Sequence, residues 1–389
     1  MSSKSVLFIT QIYPSGATGT TVKTRNTILF LLKKGFEIDV CCVHHEAMVK
    51  NEINAEGLRI FTVPKLVISK LDLGYILRVL SVIASPLPFR IKKMYDRRLD
   101  TLISILEQNS RYDYVFYDGF STLQYAKNYS KKYIYIDDED ITDLLGKREK
   151  ESKNILLKLF FRLEIVKCKW YERRFLPRVS QLWAISPNSL KRLKNITNAK
   201  SFLMPTVVPF KRSAFKKQSK DIVFSGLLSW MENVQGVKWF LENHWGQVLR
   251  EVPDAKLIIT GQMANDEFQN YLKKFKNVAL KGYVGDLFEV YKKTAVAISP
   301  ILINSGIKVK VLTYLSFGLP VVALTQSTWG MSSLKGVETA NEHDFGVKVI
   351  SLLKDNRKRE KLAAAGISNI KQYHSEEALE IFFLKAEVI

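Results

Sequence analysis

The sequence predicts an α/β protein of two parallel-sheet domains. Apolar strand-like runs alternate with helix-like periodic segments along nearly the whole chain. Two strand–loop–helix–strand units carry glycine loops, one at the N-terminus and one near residue 300. A proline-flanked stretch at 204–210, followed by a basic linker at 211–220, separates the two series of elements. At 389 residues the chain is long enough for two or three domains with substantial cores.

Composition narrows the class. Hydrophobic residues at 47% with charged residues at 25% describe a globular chain, not a disordered one. Three cysteines, with Cys41 and Cys42 adjacent, make neither a disulfide framework nor a zinc site and read as buried strand residues of a cytosolic protein. The N-terminus has no signal-peptide pattern, and no apolar window is long enough to predict a transmembrane helix. The net charge is +21, with 34 basic against 20 acidic residues in 1–205 and 25 against 18 in 206–389. A basic first half implies an anionic partner, either nucleic acid or an acidic membrane surface. A recognition helix in a helix-turn-helix frame is missing, which disfavours nucleic acid.

In chain order, residues 6–10 form a buried strand, and a glycine loop at 11–21 leads to a helix over 22–34 stopped by Gly35. Gly16 and Gly19 lack the spacing of a dinucleotide fingerprint. Strands follow at 37–43 and 58–63. The segment 75–98 mixes apolar residues with six cations (Arg78, Arg90, Lys92, Lys93, Arg97 and Arg98), a composition suited to an anionic interface or to an ordinary amphipathic surface helix. A strand at 112–118 ends in Asp118. The next, at 132–137, runs into four consecutive acids that include Asp138. Acids at strand ends point to a binding cleft or cap the next helix. The helix over 153–174 carries seven Lys/Arg, two Glu and four aromatics, again suiting a membrane surface or an acidic partner. The strand at 181–186 reads as the last of the first domain.

The second domain restarts with a strand at 221–225, then Gly226 and a helix after Trp230. Strands follow at 256–260, ending at Gly261, and from 278, ending near Tyr283 and Val284. A short helix spans 286–292. The unit on which the site rests then comes: a strand at 295–299, a loop ending Asn304-Ser305-Gly306, a helix over 307–317 stopped by Gly318, and a strand at 320–324. Loops and helix N-termini at the carboxyl edge of such sheets bind ligands, and free backbone N–H groups there favour phosphate. Lys308 and Lys310 add two charges to the first turn, and Lys310 shares with Thr313 a face that can stay open to a ligand.

The stretch 297–323 resembles the nucleotide-sugar-binding segment of glycosyltransferase family 4 (glycosyl transferases group 1), whose members have the GT-B fold of two Rossmann-like domains facing across a cleft. Lys308 and Lys310 match that segment's basic pair; Leu312, Gly318, Pro320, Val321 and Val322 match as well. Asn304 stands for the first glycine, and Thr313 stands where the family usually has the Glu that holds the nucleotide ribose. Upstream, Trp230, Asn233, Gly236, Trp239 and Phe240 match a second family segment in which Glu232 replaces a proline. The resemblance covers nearly the whole chain and is most specific from 222 to 331.

The resemblance implies an acceptor-binding domain over 1–205, a donor-binding domain over 206–374 and a C-terminal helix at 375–389 packing back on the first domain. It implies a sugar moved from a nucleotide-sugar donor to a saccharide acceptor, with retained configuration and no metal or cofactor. Lipid-linked acceptors, bacterial surface polysaccharide and a peripheral place on the inner face of the cell membrane fit the basic first domain. Donor contacts would come from Gly226, Asn233, Gly261, Tyr283, Val284, Asn304, Ser305, Gly306, Lys308, Lys310 and Thr313. Lys308 would also neutralise the leaving diphosphate. Gly16, Gly19, Thr20 and Arg25 would form the acceptor or phosphate loop, and Asp118 and Asp138 would meet the acceptor hydroxyl, one serving as base if the enzyme inverted. The two acids that the family often carries with seven residues between them fall on Ser305 and Thr313. Neither is acidic, which keeps open a noncatalytic nucleotide- or sugar-binding partner of an assembly complex.

Overall fold

Two parallel sheets organise the chain in the computed structural model, which describes residues 3–15, 19–44, 53–64, 85–137, 141–210, 219–303, 306–331 and 334–389. The first sheet contains β1 (Ser5–Ile12), β2 (Glu37–His44), β3 (Leu58–Pro64), β4 (Tyr114–Asp118), β5 (Ser130–Asp137), β6 (Val179–Ala184) and β7 (Lys200–Leu203). Its order is β3-β2-β1-β4-β5-β6-β7, with all pairs parallel. The second contains β8 (Asp221–Ser225), β9 (Lys256–Thr260), β10 (Val278–Gly282), β11 (Val296–Ser299), β12 (Val321–Leu324) and β13 (Val337–Ala340) in the order β10-β9-β8-β11-β12-β13, also all parallel. This is a doubly wound α/β architecture used twice.

Central strands are covered on both faces, which is why they read as continuous apolar runs. Val6, Leu7, Phe8 and Ile9 of β1 are fully buried, as are Val296, Ala297, Ile298 and Ser299 of β11. Apolar runs predict 181–186 as the last strand of the first sheet and none after 324. The structure adds β7 and β13, both four-residue edge strands. With one or both faces open they carry polar residues such as Lys200 and Glu338, so no apolar run marks them.

The chain divides into two units at Met204/Pro205, the first also taking Ile389 and the second ending at Val388. Met204 N donates to Ala184 O inside the first unit. Val208 N donates to His374 O, and His374 Nδ1 lies 3.0 Å from Thr206 O, inside the second. The helix Glu376–Lys385 packs on the helix Asn356–Tyr373 within the second unit. No helix among the described residues is long and apolar enough to cross a membrane.

Candidate functional site

In the second sheet the strand order reverses at β8, which pairs β9 on one side and β11 on the other. The crevice beyond the carboxyl ends of β8 and β11 is therefore the expected ligand position. Gly226 follows β8, Gly261 follows β9, and the loop after β11 leads into the helix Val309–Ser316. That helix starts later than the sequence suggests. Lys308 is its N-cap, with φ −87° and ψ 85°, so only Lys310 lies in the first turn. Gly306 sits at φ +77°, the left-handed region that glycine enters without a Cβ penalty.

Gly226, Asn233 and Lys310 form one cluster. Lys310 Nζ donates to Asn233 Oδ1 at 2.6 Å and stands 4.2 Å from the centroid of the Phe224 ring. Asn233 Nδ2 donates to Leu227 O at 2.8 Å, fixing the amide. A Cβ on Gly226 would lie 2.8 Å from Lys310 Nζ and 2.9 Å from Asn233 Nδ2, so the bare backbone is what lets both polar ends reach it. Lys310 is partly exposed as a residue while its ammonium is packed among protein atoms. Burial holds that ammonium well below the usual lysine value, and the charge of Lys308 pushes the same way. On the face that Lys310 and Thr313 share, both residues are half-buried. Thr313 turns its hydroxyl back to Val309 O at 2.9 Å, and Lys310 leans on β8.

Beneath the cluster lies a buried hydroxyl network for which the sequence carries no local signal. Ser225 Oγ accepts from Thr260 Oγ1 at 2.7 Å and from Tyr291 Oη at 2.9 Å, while Ser225 N donates to Tyr314 Oη at 2.6 Å. The end of β8 is thereby held by groups from three other elements. Tyr314 sits at core spacing beside Val311 and Leu315, so its hydroxyl carried no separate signal. Gly261 belongs to the same support: its N–H donates to Gly282 O at 2.8 Å, and Gly226 N donates to Thr260 O at 3.0 Å. On the other side Ser327, fully buried, accepts from Ile301 N at 3.2 Å and donates to Ser299 O at 2.6 Å, anchoring the loop after β11. Tyr283 is exposed and Val284 half-buried in the turn after β10. Asn304 and Ser305 lie outside the described residues.

Within the first unit, Gly19 and Thr20 are helical, in the helix Gly19–Lys33, and not loop residues as expected. Arg25 Nη1 donates to Ser15 O at 3.3 Å. Gly16 and Asp138 lie outside the described residues. Asp118, at the end of β4, departs from its expected role. It is buried, accepts from Lys23 Nζ at 2.5 Å and from Thr24 Oγ1, and so ties β4 to the helix Gly19–Lys33. At 1% side-chain exposure this carboxylate offers no open face to a substrate hydroxyl. Asp137, which closes β5, is likewise buried and accepts from Tyr135 Oη at 2.8 Å.

The comparisons with known proteins agree with this architecture. Residues 219–355 match the family model described as Glycosyl transferases group 1. Over 294 residues the chain is 22% identical to an uncharacterized 44.6 kDa protein in the cps region of Klebsiella pneumoniae, covering 72% of this chain and 75% of that protein. Its structure is similar to that of WaaG, a glycosyltransferase involved in lipopolysaccharide biosynthesis, with a TM-score of 0.65 and 15% identity over 97% of this chain and 99% of that one. It is also similar to a mutant of S. aureus TarM in complex with fondaparinux, alpha-GlcNAc-glycerol and UDP, with a TM-score of 0.62 and 11% identity over 98% and 99% of the two chains. The chain thus has the GT-B fold, and the segment 219–355 within its second unit is similar to the glycosyl transferases group 1 family.

Proposed function

We propose that this chain transfers a sugar from a nucleotide-sugar donor, bound at the carboxyl edge of the second sheet, to a saccharide acceptor bound by the first unit. The observation that carries this reading is the Gly226–Asn233–Lys310 cluster at the switch point of a group 1 domain. A bare backbone beside a buried ammonium suits a diphosphate, which would supply the anion that the lysine lacks. Lys308 and the first N–H groups of the helix Val309–Ser316 would add to the neutralisation as charge develops on the leaving group. Retention of configuration, without metal, fits a reaction in which this neutralisation is the main contribution and the buried, paired Asp118 is not the base.

The acceptor in this reading is a lipid-linked saccharide used in bacterial surface polysaccharide, and the protein works peripherally at the inner face of the cell membrane. The cps-region relative and the excess of cations in residues 1–205 support that setting. One observation favours a second reading, a noncatalytic nucleotide- or sugar-binding partner of an assembly complex: Thr313 is not acidic and its hydroxyl is spent on Val309 O. Thermal stabilisation against a panel of nucleotides and nucleotide sugars, followed by assay of the stabilising donor with saccharide acceptors, separates the two. A nucleotide-sugar that stabilises wild type and not Lys308→Ala, together with transfer, supports the enzyme. Stabilisation without transfer supports the binding partner, and no stabilisation by any nucleotide removes the donor site.

A further inference from the structure

The helix Ile155–Phe175 is mounted inside out. At about 100° per residue, Ile155, Leu156, Leu159, Leu163, Val166 and Trp170 fall within an arc of about 100°, and all six are exposed, Leu156 at 72% and Val166 at 62%. The buried face holds Glu164, Lys167, Cys168, Tyr171 and Glu172 instead. An apolar stripe on a globular protein normally faces the core, and a contiguous one left in solvent marks an interaction surface.

The inward polar groups explain why the helix keeps this orientation. Glu164 accepts from Phe89 N at 2.5 Å and pairs with Lys167 at 3.2 Å. Glu172 accepts from Arg192 Nη1 at 2.7 and 2.6 Å, and Tyr171 Oη donates to Phe120 O at 3.1 Å. Turning the stripe inward would strip all of these partners, so its exposure is fixed by the fold.

Cations border the stripe. Lys158, Lys169 and Arg173 follow one edge of the helix, and Arg162 on the same edge is paired with Glu149 at 2.5 Å. The short helix Phe89–Met94, whose Phe89 ring meets Phe160 at 6.2 Å, brings exposed Arg90, Lys92 and Lys93 alongside.

We propose that this face docks on an anionic lipid bilayer, with the apolar stripe at the acyl boundary, Trp170 at the interface and the flanking cations among the headgroups. A second copy is the poorer occupant, because it would bring the same cationic borders against each other across a stripe that carries no acid. The inference rests on the peripheral location proposed above, names its surface, and is independent of the transfer chemistry.

The test is co-sedimentation of the full chain with vesicles of phosphatidylglycerol and phosphatidylcholine, and with phosphatidylcholine alone, at low and high salt. The expected result is binding to the anionic vesicles, weakened by salt and reduced at least tenfold by the triple substitution Leu159→Ser, Leu163→Ser, Val166→Ser. These side chains leave no core contact behind, so the variant should melt with wild type, and its nucleotide-induced stabilisation should be unchanged. Lys169→Gln with Arg173→Gln gives a second, milder variant that should weaken binding and flatten its salt dependence. Binding that neither variant alters would overturn this surface while leaving the peripheral location standing. Absence of binding at low salt would overturn both, with the nucleotide readout still deciding the donor site. A lipid-free dimer dispersed by the triple substitution would assign the face to a second copy and overturn the proposal.

Discussion

Lys310 Nζ donates to Asn233 Oδ1 across 2.6 Å, although 77 residues separate the two in sequence. The bond joins the helix after β11 to the helix after β8, the two elements on either side of the switch point. Among the described residues no carboxylate pairs with this ammonium. An amide dipole and a ring face hold a charge that burial disfavours. The arrangement is poised for an anion.

Proton linkage at Lys310 follows from that poise. A base whose folded pKa lies below its unfolded value binds fewer protons when folded, so stability rises with pH between the two values. For Lys310 the interval runs from its depressed folded pKa up to the ordinary value of 10.5. Thermal melts should therefore show an alkaline gain in wild type that Lys310→Met lacks. A nucleoside diphosphate favours the protonated form, so its binding should take up protons and weaken as pH rises through the same interval. Titration calorimetry in buffers of different ionisation enthalpy measures the uptake; none in wild type, or equal uptake in Lys310→Met, would remove Lys310 from the site.

Gly261 supports the site through backbone contact alone. A Cβ there would stand 1.8 Å from Gly226 O and 3.1 Å from Leu228 Cγ, at φ +154°. Backbone cannot rotate away as a side chain can, so Gly261→Ala should destabilise the protein by at least about 3 kcal/mol. Denaturant unfolding followed at the tryptophans reads this. A loss under about 1 kcal/mol would mean that the turn relaxes and Gly226 is not held as described.

How much of this was legible in the sequence depends on how local the signal was. Interior strands announced themselves because burial on both faces demands unbroken apolar runs, as in 221–225 and 295–299; edge strands β7 and β13 made no such demand. Lys308 and Lys310 were visible as a basic pair beside a glycine loop. Their unequal fates were not, since Lys308 caps the helix and Lys310 is buried by Phe224 and Asn233, residues distant in sequence. Asp118 looked free because nothing local shows that Lys23 and Thr24 meet it 95 and 94 residues away. For the helix Ile155–Phe175 the composition was plain, but periodicity alone favours an inward stripe. Only the partners of Glu164, Tyr171 and Glu172 reverse it.

Thr313 offers a gain-of-function test. Its hydroxyl serves Val309 O of its own helix and not a ligand, at the position where the resembled family carries the ribose-binding Glu. Thr313→Glu should place a carboxylate one turn from Lys310 and tighten a ribonucleoside diphosphate about tenfold. The 2′,3′-dideoxy analogue, which has no hydroxyl to donate, should gain nothing. Equal gain for both nucleotides would trace the effect to charge at Lys308 and Lys310, and no gain would place the ribose elsewhere.

The Lys23–Asp118 pair makes the opposite kind of prediction, structural and not catalytic. Both side chains are nearly inaccessible, at 3% and 1% exposure, and the pair locks the helix Gly19–Lys33 to the end of β4. Asp118→Asn leaves a buried ammonium against a neutral amide, so the protein should lose about 3–5 kcal/mol. Lys23→Met combined with Asp118→Asn removes the stranded charge and should recover part of that loss, a coupling that a double-mutant cycle reads directly. Transfer per folded molecule should change less than tenfold in the double variant, because neither group is open to substrate. If transfer instead collapses while stability holds, Asp118 acts on the acceptor after all, and an inverting mechanism with Asp118 as base replaces the retaining one.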